Sequence, residues 1–226
     1  HRDLHSFPTR RSSDLMTIKT FTFNPIQENT YVVHDETGEA IVIDAGCYFE
    51  NEKKALQAYI DDNKLKLVKV LNTHLHFDHQ FGNKFLFETY GITPEAHIGD
   101  EFLLKRVVAG TVIYGFPVQE DAQPIGTYLQ ENQEISFGNT ALKTIHVPGH
   151  SPGHLVFHNE KEHVLFAGDV LFNGSIGRTD LEQGDYGMLI RNITEKLLIL
   201  PDETVVYPGH GPSTTIGKER VSNPYL

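Results

Sequence analysis

Hydrophobic residues along the chain occur in short runs that end at turn-forming residues, a pattern typical of β-strands. The first runs cover residues 18–23, 30–33 and 40–43, with turns predicted at Asn24-Pro25 and Thr37-Gly38. Further strands are predicted at residues 67–71, 134–137, 141–147, 155–158, 164–167 and 205–207. The chain therefore opens with a β-meander and returns to strands in its second half.

Apolar positions with helical spacing separate these strands. Residues 55, 56, 59 and 60 are apolar or aromatic and predict a helix over residues 51–63. Further helices are predicted over residues 83–90, 101–108 and 188–200, the last ending before Pro201. Two β-rich halves, each ending with a helix, predict one α/β unit in which two sheets pack face to face and helices cover the outside.

The pattern does not extend to the N-terminal segment, which has the sequence HRDLHSFPTRRSSDL. This segment is the codon-by-codon translation of a common sequencing-adapter DNA, and Met16 follows it immediately. It lacks the apolar stretch that a signal peptide requires. We therefore expect residues 1–15 to be an assembly artefact and residues 16–226 to form a single native domain.

Composition and charge exclude several classes of function. The chain has 226 residues, with 19 Lys and Arg against 30 Asp and Glu, and a net charge of −11. This charge and the lack of a basic run argue against a nucleic-acid partner. No apolar run approaches the roughly 20 residues of a membrane span. The single cysteine, Cys47, allows no internal disulfide and no thiolate cluster, so we expect a cytoplasmic protein whose metal sites use His and carboxylate ligands.

The densest chemical motif is Thr-His-Leu-His-Phe-Asp-His at residues 73–79, directly after the predicted strand 67–71. Buried imidazoles need hydrogen-bond or metal partners, and a metal ion satisfies several of them together. Alternation places His74 and His76 on one side, whereas Asp78 and His79 belong to the following turn. The motif can therefore supply ligands to two neighbouring cations.

Three more residues share this context, because each follows a predicted strand and lies beside a glycine. They are His150 in Pro-Gly-His, Asp169 in Gly-Asp and His210 in Pro-Gly-His-Gly. Glycine lets the backbone approach a ligand closely, and a strand end holds the side chain on a rigid scaffold. We expect these residues to join the metal site.

This ordered set of motifs resembles the metallo-β-lactamase superfamily of hydrolases across almost all of residues 16–226. The resemblance implies a four-layer αββα sandwich and a centre of two divalent metal ions, with zinc expected and iron or manganese as alternatives. It assigns His74, His76 and His150 to the first metal. It assigns Asp78, His79 and His210 to the second metal and makes Asp169 the bridge.

Within the superfamily the chain resembles short glyoxalase II-like hydrolases. The similarity lies in Gly-Ser-Ile-Gly-Arg-Thr-Asp at residues 174–180 and Gly-His-Gly-Pro at residues 209–212. It does not extend to the separate C-terminal helical domain that carries much of the glutathione recognition in full-length glyoxalase II. The resemblance implies hydrolysis of a small-molecule thioester by a hydroxide between the two metals, with catalytic roles for Asp78 and Asp169. We expect a monomer or a homodimer.

Two other activities share the scaffold. A persulfide dioxygenase uses one iron on residues that match His74, His150 and Asp169, and a lactonase uses the same ligands as the hydrolase. Arg178 lies in the glycine-rich segment after Asp169 and is a candidate for binding a substrate carboxylate. The alternative for Arg178 is a structural pair with Asp180 or Asp185.

Overall fold

The structure, a computed structural model, describes residues 15–113, 115 and 121–226. The strands are β1 (Thr17–Phe23), β2 (Glu28–His34), β3 (Glu39–Ile43), β4 (Lys66–Leu71), β5 (Pro94–Ala96), β6 (Thr127–Tyr128), β7 (Glu134–Phe137), β8 (Thr140–His146), β9 (Leu155–Asn159), β10 (Val164–Gly168), β11 (Leu171–Phe172), β12 (Ser175–Ile176), β13 (Val205–Pro208) and β14 (Thr214–Thr215). The α-helices are α1 (Glu50–Asp62), α2 (Asn83–Tyr90), α3 (Glu101–Leu104), α4 (Val107–Ile113), α5 (Tyr186–Asn192) and α6 (Ile216–Ser222). The predicted artefact at residues 1–15 lies outside the described residues except for Leu15, and it stays a prediction.

Two six-stranded sheets form the centre of the fold. The first has the order β1-β2-β3-β4-β5-β6, antiparallel from β1 to β3 and parallel from β3 to β6. The second has the order β14-β13-β10-β9-β8-β7, in which β10 and β13 are the parallel pair. Parallel neighbours place their C-terminal ends at the same sheet edge, so the loops after these strands can meet.

The apolar core lies between the two sheets. The first sheet contributes Tyr31, Ile41 and Leu71, and the second contributes Phe157 and Phe166, all of them buried. Strand alternation explains which side chains enter this core, since successive side chains on a strand point to opposite faces of the sheet. The predicted face-to-face packing of two sheets is confirmed.

Helices cover the outer face of each sheet. Leu56 and Ile60 of α1 and Leu86 of α2 pack against the first sheet. Leu189 of α5 and Ile216 of α6 pack against the second. The architecture is the four-layer αββα sandwich that the sequence motifs imply.

Several predicted boundaries differ from the structure. The helix predicted over residues 101–108 is divided into α3 and α4, with a turn at Lys105 and Arg106. The helix predicted over residues 188–200 begins earlier, at Tyr186, because the Asp185 side chain accepts the Met188 N–H as an N-cap. It continues as a π-helical turn over Ile193–Leu197.

Short strands and the C-terminal helix were not predicted from the sequence. Strands β5, β6, β11, β12 and β14 have two or three residues each. Runs this short carry no measurable alternation, and pairing with a neighbouring strand defines them. Within the described part of the chain, no helix combines the length and the apolar character needed to cross a bilayer.

Replacing Phe157 by alanine tests the packing between the sheets. This fully buried ring lies on β9, so we expect Phe157→Ala to lower the free energy of unfolding by about 3–5 kcal/mol through lost burial and cavity formation. Ile199→Ala is the control, because this side chain is 73% exposed and its loss changes stability by about 0.5 kcal/mol or less. Urea unfolding of EDTA-treated protein measures both, and equal effects would contradict the packing described.

Candidate metal centre

Four strand-end loops meet at one edge of the sandwich. Residues 74–79 follow β4, His150 follows β8, Asp169 follows β10 and His210 follows β13. Backbone hydrogen bonds connect the loops: the Leu155 N–H donates to Thr73 at 2.8 Å and the Gly209 N–H donates to Gly168 at 2.8 Å. The two sheets therefore hold the candidate residues in fixed relation.

Three histidines form the first donor group. His150 Nε2 lies 2.8 Å from His76 Nδ1 and 3.3 Å from His74 Nε2. His74 and His150 are almost fully buried. The three nitrogens converge on one point, although they come from two loops.

The second donor group combines a carboxylate with two imidazoles. Asp78 Oδ2 lies 3.2 Å from His210 Nε2 and 3.7 Å from His79 Nε2. The ligand atoms of Asp78, His79 and His210 all lie within 4.8 Å of one another. This spacing matches atoms that would share one cation.

Asp169 lies between the two groups. One oxygen, Oδ1, is 3.5 Å from His79 Nε2, while Oδ2 is 3.7 Å from His150 Nε2 and 3.6 Å from His210 Nε2. A single carboxylate therefore reaches donors of both groups. All seven residues expected from the sequence come together here.

The outer nitrogens of four histidines are held by protein partners. His150 Nδ1 bonds the Arg178 carbonyl at 2.8 Å, and His210 Nδ1 bonds the Gln27 carbonyl at 3.2 Å. A carbonyl only accepts, so each of these Nδ1 atoms carries a proton, and Nε2 is the atom of each ring that can bind a metal at the centre. Fixing the tautomer in this way is the usual arrangement behind metal-ligating histidines.

Asp44 performs the same task for the other two histidines. Its Oδ2 accepts from His79 Nδ1 at 3.1 Å and from the Thr73 hydroxyl at 2.7 Å, and Thr73 Oγ1 lies 3.0 Å from His74 Nδ1. Its Oδ1 accepts the Thr73 N–H at 2.7 Å. Asp44 thus lies on the outer side of the imidazoles and orients one histidine of each donor group.

A second buried carboxylate, Asp100, connects the two loops that carry the first donor group. It accepts from the Leu75 N–H at 3.2 Å, the Ser151 hydroxyl at 2.7 Å and the Gly153 N–H at 2.6 Å. Leu75 lies between His74 and His76. Asp100 therefore fixes the spacing of the histidines from both loops.

Sequence reasoning did not identify these two carboxylates. Asp44 follows a predicted strand and lies two residues before Gly46, so a looser form of the rule that identified Asp169 could have found it. Asp100 is the last residue of a 3₁₀ turn, Ile98–Asp100, and follows no predicted strand. No pattern in the sequence indicates its role.

The donors fit divalent cations. His79 Nε2 and Asp169 Oδ1 are buried and have no hydrogen-bond partner, and leaving such atoms unpaired is costly. Imidazole nitrogens and carboxylate oxygens are ligands that Zn, Fe and Mn accept. Two divalent cations at this centre would bind both unpaired atoms and would also relieve the repulsion between the crowded lone pairs.

Burial and neighbouring charges divide the centre electrostatically. Burial and the surrounding imidazoles lower the pKa of His74, and they lower the pKa of His76 to about 3, so these rings are neutral at pH 7. Burial would also lower the pKa of His79, but the carboxylates of Asp169, Asp78 and Asp44 outweigh it and raise that pKa well above its usual value. The first group therefore offers lone pairs, while the second holds a proton that a metal must displace.

Close packing explains two of the glycines beside the donors. A Cβ at Gly209 would overlap Asp169 Oδ1 and His79 Cε1. Gly168 has φ +48°, and a Cβ there would overlap Thr73 Oγ1 and His154 Nε2. Both positions require glycine for the loops to approach.

Three further residues, His154, Cys47 and Arg178, lie outside the two donor groups. His154 Nε2 accepts the Asp169 N–H at 3.0 Å, so it supports the bridging residue from behind. Cys47 is fully buried, and burial raises the pKa of its thiol, which fits an inert residue. Arg178 forms the structural pair with Asp180, the first of the two alternatives named above, and its contact with a substrate carboxylate stays a prediction.

Comparisons with known proteins agree with this geometry. The family model of the metallo-β-lactamase superfamily matches residues 23–210. Hydroxyacylglutathione hydrolase GloC of Haemophilus influenzae is 35% identical over 216 residues, covering 93% of this chain and 98% of that protein. The fold and its clustered donors define a metallo-hydrolase. The chain belongs to the metallo-β-lactamase superfamily.

Solved structures show the same relationship. The B3 metallo-β-lactamase BLEG-1 superposes with a TM-score of 0.84 at 37% identity, covering 93% of this chain and 99% of that one. The di-iron-bound form of TTHA1623 gives 0.82 at 36% identity, with coverage of 92% and 100%. ETHE1 from Myxococcus xanthus gives 0.74 at 26% identity, with coverage of 92% and 83%.

Asp44→Asn tests the orienting role of this carboxylate. The amide cannot supply the same charge-assisted acceptors to both His79 and Thr73, so we expect metal affinity to fall about 10–100-fold. Asp35→Asn is the matched control, because Asp35 is a buried hydrogen-bonded carboxylate that accepts from Thr37, Asn139 and Thr140. Titration of EDTA-treated protein with Zn²⁺ measures the affinity, and an equal loss in both variants would contradict the role.

Metal binding should also release protons. The pKa values of His79 and His210 are both raised, that of His79 well above its usual value, so the His79 imidazole holds a proton at pH 7 in EDTA-treated protein, and a metal needs that lone pair. We expect release of about one proton or more per protein, and an affinity that rises with pH until these pKa values are passed. Calorimetry at pH 7 in buffers of different ionisation enthalpy counts the protons, and identical heats would contradict the prediction.

Proposed function

We propose that this metallo-hydrolase is a dinuclear enzyme that hydrolyses small-molecule thioesters. His74, His76 and His150 would hold one divalent cation, and Asp78, His79 and His210 the other. The observation that carries the proposal is Asp169, whose two oxygens reach donors of both groups at 3.5–3.7 Å. A carboxylate in this position suits two adjacent cations better than one.

The bound cations would supply Lewis-acid polarisation of the carbonyl and a lowered pKa for water. The residues of the chain determine where this chemistry occurs. Asp78 and Asp169 place negative charge beside the imidazoles, and both carboxylates stay ionised because the nearby imidazoles outweigh the effect of burial and lower their pKa values. Asp78, which is 7% exposed, can accept a hydrogen bond from an attacking water and orient it.

Thioesters are the substrate class whose hydrolysis at this site needs the fewest catalytic groups besides the metal ligands. A thiolate leaves with a pKa near 8.5, so its departure needs no strong general acid. Among the described residues that line the cleft over the centre, none is a Lys, Tyr or Cys that could serve as a general acid. Similarity to the enzyme described as hydroxyacylglutathione hydrolase supports the same class.

The metal could be zinc, iron or manganese, since the donor set accepts all three. We propose zinc as the first choice, and the di-iron-bound neighbour makes iron the principal alternative. A cytoplasmic location and a monomeric or homodimeric state belong to the same proposal.

A second candidate activity is persulfide dioxygenation, favoured by the similarity to ETHE1. That reaction would use one iron on His74, His150 and Asp169. The second donor group argues against it, because Asp78, His79 and His210 would then lack a cation although His79 Nε2 is buried and unpaired. Lactones and β-lactams belong in the test as well, the latter because of the BLEG-1 neighbour.

Metal analysis paired with a substrate screen tests the proposal. We expect two metals per protein and turnover of thioesters without oxygen uptake. One iron with oxygen uptake and sulfite formation would establish the dioxygenase instead. Turnover of lactones or β-lactams with no thioester hydrolysis would replace the substrate class.

Asp78→Asn tests the part played by this residue. Loss of an anionic donor should leave one metal bound and lower kcat about 100-fold or more. Asp62→Asn, at an exposed position of α1, should keep both metals and full activity. Metal content and steady-state kinetics measure the effect, and an active Asp78→Asn variant with two metals would refute the role.

A further inference from the structure

An open cleft of about 890 Å³ lies over the metal centre. Beyond His76, Asp78, His150, Asp169 and His210, most of its wall is apolar. The apolar residues are Ile26, Phe77, Leu103, Phe172, Ile176 and Leu181. Such a wall favours an apolar or uncharged group next to the reacting carbonyl.

Among the described residues that line the cleft, the permanent cations are Arg106 and Arg178. The Arg178 guanidinium forms a bidentate pair with Asp180, from Nε to Oδ1 at 2.7 Å and from Nη2 to Oδ2 at 2.7 Å. The hydrogen bond from Arg178 lowers the pKa of Asp180 to about 2, so this carboxylate is ionised at working pH. The Nε–Nη2 edge of the guanidinium, one of its two edges for binding a carboxylate bidentately, is therefore already occupied by Asp180.

Arg106 is paired as well. Its Nη2 lies 3.1 Å from Glu182 Oε1, and Glu182 itself lines the cleft. The charges of both arginines are therefore balanced by carboxylates of the chain. The net charge of −11 adds a long-range repulsion for anionic substrates.

The backbone keeps Arg178 in its present place. Its carbonyl accepts the hydrogen bond from His150 Nδ1 at 2.8 Å, so moving this segment toward a substrate would disturb a residue of the metal centre. Asp180 lies only two residues away and remains a local competitor for the guanidinium. A substrate carboxylate would have to displace it without help from a backbone shift.

From these contacts we infer that the substrate is a thioester whose thiol portion carries no carboxylate, and that the pairs Arg178–Asp180 and Arg106–Glu182 select against carboxylated thiols. The inference rests on the proposed thioesterase function. It predicts slow turnover of glutathione thioesters, because glutathione carries carboxylates at both ends. An uncharged thiol can occupy the apolar wall without breaking either pair.

Matched thioesters of one acyl group test the inference. S-lactoyl-N-acetylcysteamine has a neutral thiol portion, whereas S-lactoyl-3-mercaptopropionate and S-lactoylglutathione carry carboxylates. With the metal-loaded full chain we expect kcat/KM to be about tenfold or more higher for the neutral ester. Equal or faster turnover of the carboxylated esters would overturn the inference and leave the proposed function intact. No turnover of any thioester would overturn both.

Variants of the paired acids test the physical cause. Asp180→Asn removes the carboxylate that competes with substrate for the Arg178 guanidinium. The ratio of kcat/KM for the neutral ester to kcat/KM for the carboxylated esters should therefore fall about tenfold. Glu182→Gln should lower the same ratio of kcat/KM values. It also keeps the test possible if Asp180→Asn fails to fold. Glu50→Gln is the control, because it breaks the exposed Lys53 pair on α1 away from the cleft and should leave the preference unchanged.

Binding provides a readout independent of turnover. Calorimetry with the thioether analogues of the neutral and carboxylated esters, which cannot be hydrolysed, should show the same preference and the same narrowing in Asp180→Asn. An unaltered preference in folded Asp180→Asn and Glu182→Gln would overturn the role of the pairs.

Discussion

The arrangement of the centre depends on the contacts of the Asp169 carboxylate with three histidines. Its two oxygens lie 3.5–3.7 Å from imidazole nitrogens of His79, His150 and His210, which come from three different loops. Such a concentration of buried donors is unfavourable unless cations or protons compensate it. The backbone contact between Gly168 and Gly209 and the support from His154 hold this carboxylate in place.

Behind the donors lies a layer of hydrogen-bonding groups that fixes their orientation. Asp44 orients His79 directly and His74 through Thr73, while Asp100 connects the loops around Leu75 and Ser151. Both carboxylates are buried, and both use several acceptor positions. A metal site built on strand-end loops needs such support, because loops alone do not hold donors to a few tenths of an ångström.

Charge is distributed differently in the centre and in the cleft above it. The centre concentrates uncompensated donors, whereas the cleft pairs its arginines with Asp180 and Glu182. Under the proposed function, reactivity and selectivity would thus arise from separate groups. The His150 to Arg178 hydrogen bond joins the two, since the residue whose side chain pairs with Asp180 also fixes a metal-type donor through its carbonyl.

The sequence by itself indicated the long strands, helix α2 and the seven candidate donor residues, because hydrophobic alternation, a run such as His-x-His-x-Asp-His, and a His or Asp beside glycine at a strand end are local properties. Short strands such as β5 and β14, the division between α3 and α4, and the carboxylate Asp100 required the structure, since each is defined by contacts with distant residues. The side-chain partner of Arg178 was also open in the sequence, where Asp180 and Asp185 were both available. Only the tertiary structure decided it, because Asp185 caps α5 and leaves Asp180 as the partner.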